Sequence, residues 1–230
     1  MDFAIAIPCR SVRKSFLPRI RPAEEITEFR DRLCEAATRL FVAHGPEGFT
    51  MRMLAAEVGC ATMTTYRYFK DKDELLAAVR VRAYDQFSEA LEAAAKAPGD
   101  SRAKSSAIGE AYVAFALANR EAYRLIFDMG PVDTVHYPDL ARAAARAHDT
   151  MTAHVRAMID EGVLQGDPEL IGRMFWAATH GVVQLELTGA LPPGPSANAL
   201  RAEIIRTLFI GLNHGRPRPS PALAAEGVKT

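Results

Sequence analysis

An all-α fold is predicted for this chain on three observations. Apolar residues recur at spacings of three and four along most of its 230 residues, and no stretch alternates as a half-buried strand would. Helix stop and start signals punctuate that pattern, among them Gly45-Pro46, Gly59, Pro98-Gly99-Asp100, Met129-Gly130-Pro131 and Gly166-Asp167-Pro168. The composition, 49% hydrophobic and 24% charged, is that of an ordinary globular chain able to build its own core.

The first helix is expected from Pro22 to about His44, with Ile26, Phe29, Leu33, Ala36, Ala37, Leu40 and Phe41 on its inner face and Gly45-Pro46 ending it. Thr50 suits the N-cap of a short second helix that turns Met53, Leu54 and Val58 inward, and Gly59 suits the left-handed position after it. Residues 61–69 read as another short helix. A long one then opens at Asp71 or Lys72 and runs to about Ala97, with Leu75, Leu76, Val79, Tyr84, Phe87 and Leu91 inward. Pro98-Gly99-Asp100 is a candidate boundary. Helices are expected beyond it at about 103–118, 120–128, 138–162, 168–189 and 197–213, the fourth of these capped by Asp167 with Pro168 in its first turn. The organisation read from this is a basic arm over 1–22, a three-helix unit over 23–71, a helical domain over 72–213 and a flexible tail over 214–230.

Composition excludes several classes. The apolar runs are too short to span a bilayer, and in MDFAIAIP the basic residues follow the apolar ones, the wrong order for a secretory signal. Cys9, Cys34 and Cys60 are odd in number and lack metal-ligand spacing, which fits a reducing cytoplasm. No catalytic set emerges. The six histidines contain no pair at helical spacing, Asp133 and His136 read as loop capping groups, and no glycine-rich phosphate loop is present, so neither enzyme activity nor a metal or cofactor is expected.

The segment Phe49–Leu76, FTMRMLAAEVGCATMTTYRYFKDKDELL, has the arrangement of a helix-turn-helix: a short helix, a tight turn at Val58-Gly59-Cys60-Ala61, and a second helix ending in aromatics. Hydroxyls of Thr62, Thr64, Tyr66 and Tyr68 can reach phosphates, Arg67 can pair two acceptors on guanine, and Met63 can meet thymine methyl groups. Positive charge agrees in distribution although the whole chain is neutral. Arg67, Lys70 and Lys72 face Asp71 alone, and Arg10, Arg13, Lys14, Arg19 and Arg21 in the arm face Asp2 alone. The arm reads as a flexible tail of non-specific affinity or an upstream extension of the frame, with minor-groove insertion as the alternative.

The stretch Phe29–Leu76 resembles the N-terminal domain of TetR-family transcriptional regulators, on AATRLFVAHG, Thr50, LAAEVG and the spaced set Tyr66, Phe69, Lys72 and Leu75. The resemblance implies DNA contacts from Thr50 and Met51 at the second helix N-terminus and from Thr62, Met63 and Thr64 on the base-reading face. It further implies contacts from Tyr66, Arg67 and Tyr68, and a phosphate clamp at Lys72, with Phe69 in the core. Ala61-Thr62-Met63 departs from the family's usual Ser-Lys-Gly turn and puts a bulkier Met63 at the groove, so no operator sequence carries over.

FWAATHGVVQLEL, with Trp176, His180 and Gly181, and YRLIFDMG upstream resemble the C-terminal domain of the subgroup named for its Trp-His-Gly pattern. That resemblance implies a small-molecule pocket between helices, for which the candidate lining is Tyr112, Phe115, Tyr123, Phe127, Met151, Met158, Trp176 and His180. Taken position by position, each apolar member is better explained by plain core, and His180 by a satisfied core histidine. Methionines and aromatics make an adaptable apolar site, so a small, largely hydrophobic effector is expected. Gly172 and Gly181 would allow a close helix crossing. Helices 168–189 and 197–213 are rich enough in apolar surface to form a homodimer's four-helix interface. The leading expectation is a dimeric, ligand-responsive repressor. The alternative is an architectural DNA-binding protein without an effector, against which the neutral body of the chain argues.

Overall fold

The computed structural model describes residues 23–131, 133 and 135–213, so the basic arm and the tail lie outside it. Among the described residues the chain folds into nine helices: α1 (Ala23–Gly48), α2 (Met51–Val58), α3 (Thr62–Thr65), α4 (Lys72–Ala95), α5 (Ser101–Ala118), α6 (Arg120–Phe127), α7 (Pro138–Asp160), α8 (Pro168–Leu187) and α9 (Ala197–Asn213).

Local chemistry sets most of the boundaries. α1 kinks at Gly45, whose φ of 69° and ψ of 170° break the helix before Pro46 begins one more turn. Its buried face is Leu33, Ala36, Ala37 and Phe41. Ile26, expected inward, is 44% exposed, because residues 24–28 are open to solvent on every side. Thr50 caps α2 by accepting from the Met53 N–H at 3.2 Å. Gly59 closes α2 at φ 73°, its N–H bonding Ala56 O while Cys60 N–H bonds Ala55 O at 2.9 Å, the paired pattern of a left-handed cap. α3 is shorter than expected. After Thr65 the turn tightens, with Arg67 N–H on Thr64 O and Tyr68 N–H on Thr65 O, before Phe69 drops into the core.

Asp71 caps α4, accepting from Asp73 N–H at 3.1 Å and Glu74 N–H at 2.8 Å, while Glu74 reaches back to the Lys70 N–H at 2.6 Å. Asp71→Ala is expected to cost about 1 kcal/mol in denaturant unfolding, with Asp71→Asn retaining most of the stability. Full stability in the alanine variant would show that the cap is dispensable.

α4 is the central strut. It packs on α1 at its N-terminal end and against α5, α6 and α7 along the rest. Pro98–Asp100 is therefore a turn between packed helices and not a gap between domains, and one buried cluster runs from Leu33 in α1 to Ala197 in α9. A second cluster, with Val155, Met158, Leu164, Ile171, Phe175 and Phe209, joins the far ends of α7, α8 and α9. Of the two glycines expected at a close crossing only Gly172 serves: a Cβ there would come within 2.9 Å of Thr152 on α7, whereas one at Gly181 would meet nothing within 4 Å. Among the described residues no helix is long and apolar enough to cross a membrane.

Candidate nucleic-acid interface and effector site

α2 and α3 present one exposed surface with the core behind it. Thr65 and Phe69 are buried, and Thr65 Oγ1 donates to Thr62 O at 2.8 Å. Met63 is 74% and Tyr66 46% exposed on it. Arg67 and Lys70 are exposed beside them, and Thr62 and Thr64 are half-buried. Arg52, exposed on the first turn of α2, joins this surface; it stands two residues after the Thr50 cap, where sequence reading could have found it.

Three expected contacts sit differently. The Met51 side chain is 5% exposed and packs in the core, so only its backbone N–H at the start of α2 faces outward chemistry. Tyr68 is half-buried against Phe29, ring centroids 5.1 Å apart, and its carbonyl accepts from Arg30 at 2.9 Å. Arg30 also lies over the Phe69 ring at 4.3 Å, so one α1 side chain fixes the end of the recognition segment. Lys72 Nζ rests 3.4 Å from Pro46 O in the last turn of α1, tying the start of α4 to the end of that helix.

In the helical domain, six of the eight expected pocket residues share one aromatic cluster with Phe87 of α4, Phe115 meeting Phe87 at 5.3 Å. Tyr123 lies against Phe127 at 4.6 Å, Phe127 against His180 at 4.8 Å and Trp176 at 6.3 Å, and Tyr112 edge-on to Phe87 at 5.1 Å. Tyr123 Oη is 2.6 Å from His180 Nδ1 and 3.0 Å from Tyr112 Oη. Burial lowers the His180 pKa, which keeps the ring neutral. The two hydroxyls and the ring nitrogen form one hydrogen-bonded chain whose direction is set by the histidine tautomer. Burial also pushes both phenols above their usual range, so they stay protonated donors. These groups satisfy one another and fill the volume where the pocket was expected.

The remaining two separate. Met158 is fully buried in the second cluster, away from these rings. Met151 lines a cavity of about 40 Å³ with Tyr112, Phe175 and Trp176, which adjoins a groove of about 700 Å³ between α4, α5 and α7 through the shared residues Ile108 and His154. His154 and Arg201, both on this lining, were missed. Each interrupts an apolar stripe: His154 between Met151 and Met158, Arg201 between Ala197 and Ile205. Asp133 does cap its loop as expected, accepting from the backbone N–H groups of Val135 and His136.

A short helix, a Gly59 turn and a second short helix with exposed Met63 and Tyr66, joined by α4 to an all-helical body, define a helix-turn-helix regulator architecture. Comparison with known proteins gives the family. The model for bacterial regulatory proteins of the tetR family matches residues 33–79, and that for the tetracyclin repressor-like C-terminal domain matches 105–208. The HTH-type transcriptional repressor DrrR1 of Streptomyces coeruleorubidus is 52% identical over 46 residues, 20% of this chain and 17% of the relative. An HTH-type transcriptional regulator of Mycobacterium tuberculosis is 25% identical over 191 residues, 69% of this chain and 80% of the relative. A solved structure of a protein of unknown function from Rhodococcus sp. RHA1 superposes with a TM-score of 0.70 at 26% identity, over 85% of this chain and 98% of that one. The chain belongs to the TetR family of transcriptional regulators and is a DNA-binding protein, not an enzyme.

Proposed function

We propose that the protein is a cytoplasmic, homodimeric repressor, released from its operator by a small molecule bound in the helical domain. The observation that carries the DNA reading is the exposure of Met63 and Tyr66 on a segment whose other face, Thr65 and Phe69, is core. In this reading residues 23–71 are the DNA-binding unit and 72–213 the effector and dimerisation unit. Thr62, Met63, Thr64, Tyr66 and Arg67 enter the major groove, and Thr50, the Met51 N–H, Tyr68 and Lys72 position the phosphates. Two copies join through α8 and α9, where Leu170, Leu185 and Ile210 are exposed; Phe209 turns into its own chain's core under Arg102 and takes no part. The effector shifts the balance between head spacings that fit and misfit the operator, by ~1–3 kcal/mol of differential binding.

Fluorescence anisotropy on DNA flanking the protein's own gene, with random competitor, tests the reading. Tyr66→Ala and Arg67→Ala are each expected to weaken binding by about tenfold or more. Binding no tighter than to random DNA, from that flank and from a genome-wide selection alike, would sink it in favour of an architectural role.

A further inference from the structure

Beside the closed Tyr112–Tyr123–His180 network, α5, α7, α8 and α9 enclose the cavity of about 40 Å³, and its polar lining is unevenly satisfied. Arg201 reaches it from α9 with 3% of its surface exposed. Its Nε donates to Asn198 Oδ1 at 3.0 Å, but among the described residues no carboxylate pairs with it; Glu110 acts on it only from a distance. Gly109 makes room, since a Cβ there would fall on the guanidinium. Two further nitrogens on this lining, Trp176 Nε1 and His154 Nδ1, are buried without a well-formed hydrogen bond: the indole N–H leans on the Tyr112 hydroxyl and the imidazole on the Thr150 backbone.

A buried guanidinium without an anion, next to an N–H donor held only at poor geometry, is costly unless a ligand completes it. A carboxylate has the size for the cavity and supplies the acceptors that both groups lack, and arginine takes it in a bidentate pair. A cation is repelled, and a neutral head leaves the guanidinium unpaired. Past Ile108 and His154 the cavity meets the larger groove, whose walls include Ala95, Ala145, Ala153 and Ala157, surface suited to an apolar chain or ring.

We propose that the effector is an amphipathic carboxylate whose head pairs with Arg201 and accepts from Trp176 Nε1, and whose apolar part lies along the groove between α4, α5 and α7. This rests on the effector-release reading above and narrows it to one chemical class.

Trp176 is the chain's one tryptophan, so the protein's indole emission comes from the wall between this cavity and the aromatic cluster. Decanoate and 4-phenylbutyrate, titrated into the full-length protein beside 1-decanol and 4-phenylbutan-1-ol, are expected to change that emission saturably. The acids should bind about tenfold or more tighter than their alcohols. Arg201→Gln is expected to abolish the preference. Gly109→Ala, which displaces the guanidinium while keeping its charge, should do the same and carries the test if the first variant does not fold by circular dichroism. Alcohols matching acids, a preference surviving both variants, or no response from Trp176 to any probe (a cavity holding water only) would each overturn the proposal. Anisotropy on operator DNA separates the two readings: alcohols that release DNA without any preference for acids would sink the anionic head and leave effector release standing. Acids that bind at Trp176 without releasing DNA would do the reverse.

Discussion

Replacing Phe87 with alanine is expected to lower the unfolding free energy by about 3–5 kcal/mol. Phe87 is fully buried on α4 and meets Tyr112, Phe115 and Phe127 edge-on, at centroid separations of 5.1, 5.3 and 6.2 Å. Truncation removes the transfer energy of a whole ring and leaves a hole. Each aromatic pair lost adds roughly 0.5–1.5 kcal/mol beyond area. The hole cannot close easily, because Tyr112 is held by its bonds to Tyr123 and His180 and its ring is fixed by theirs. Urea unfolding of the purified protein measures the effect, and Phe87→Leu separates volume from aromatic geometry, with an expected cost of roughly a third to a half as much. A cost below about 1 kcal/mol for Phe87→Ala would show that the cluster collapses freely and that the interlocked hydroxyls do not hold it open.

What the sequence made legible was local. Thr50 and its N–H partner are three residues apart, Gly59 needs only its own φ, and Asp167 with Pro168 opens α8 as written, its carboxylate accepting from Glu169 N–H at 2.9 Å. Such signals act within one turn and survive any tertiary arrangement. The misses came where packing decides. Met51 and Met63 are both exposed in a helix-turn-helix pattern read alone, yet Met51 falls against the α1 core and Met63 stands out from it. The aromatic and methionine residues of the expected pocket share a helical period, but α5, α6 and α8 converge so that Tyr112, Tyr123 and His180 close on one another, and Met158 joins a separate cluster. Free space opens instead beside Arg201 and His154, polar interruptions of apolar stripes whose meaning depends on helices more than 40 residues away in sequence. In sequence the recognition segment reads as one helix over 61–69, whereas only Thr62–Thr65 is helical and the turn after it sets which side chains stand out.

Arg80→Met is expected to cost about 2–4 kcal/mol and, more tellingly, to weaken communication between the two ends of α4. Arg80 is 4% exposed, and its guanidinium donates to Gly130 O at 3.0 Å and Pro131 O at 3.3 Å, the carbonyls just past the end of α6. One turn further, Tyr84 donates to Ile126 O at 3.4 Å. A cation at a helix C-terminus is favourable, and methionine fills similar volume while leaving a buried arginine's two carbonyl partners, themselves part-buried, without their donor. α4 starts where the recognition segment ends, and α6 carries Tyr123 and Phe127, so these bonds tie the DNA-reading end to the aromatic side of the helical body. With the tie cut, operator affinity without effector should change little below the melting transition. The ratio of affinities with and without effector should fall toward one, and equilibrium linkage requires the effector's own affinity to lose its dependence on DNA by the same factor. Anisotropy titrations in the two orders measure both sides of that equality. An unchanged ratio in a variant that is clearly destabilised would mean that Arg80 holds the fold but transmits nothing, and the coupling would then have to run through the packing of α1 against α4 and α6.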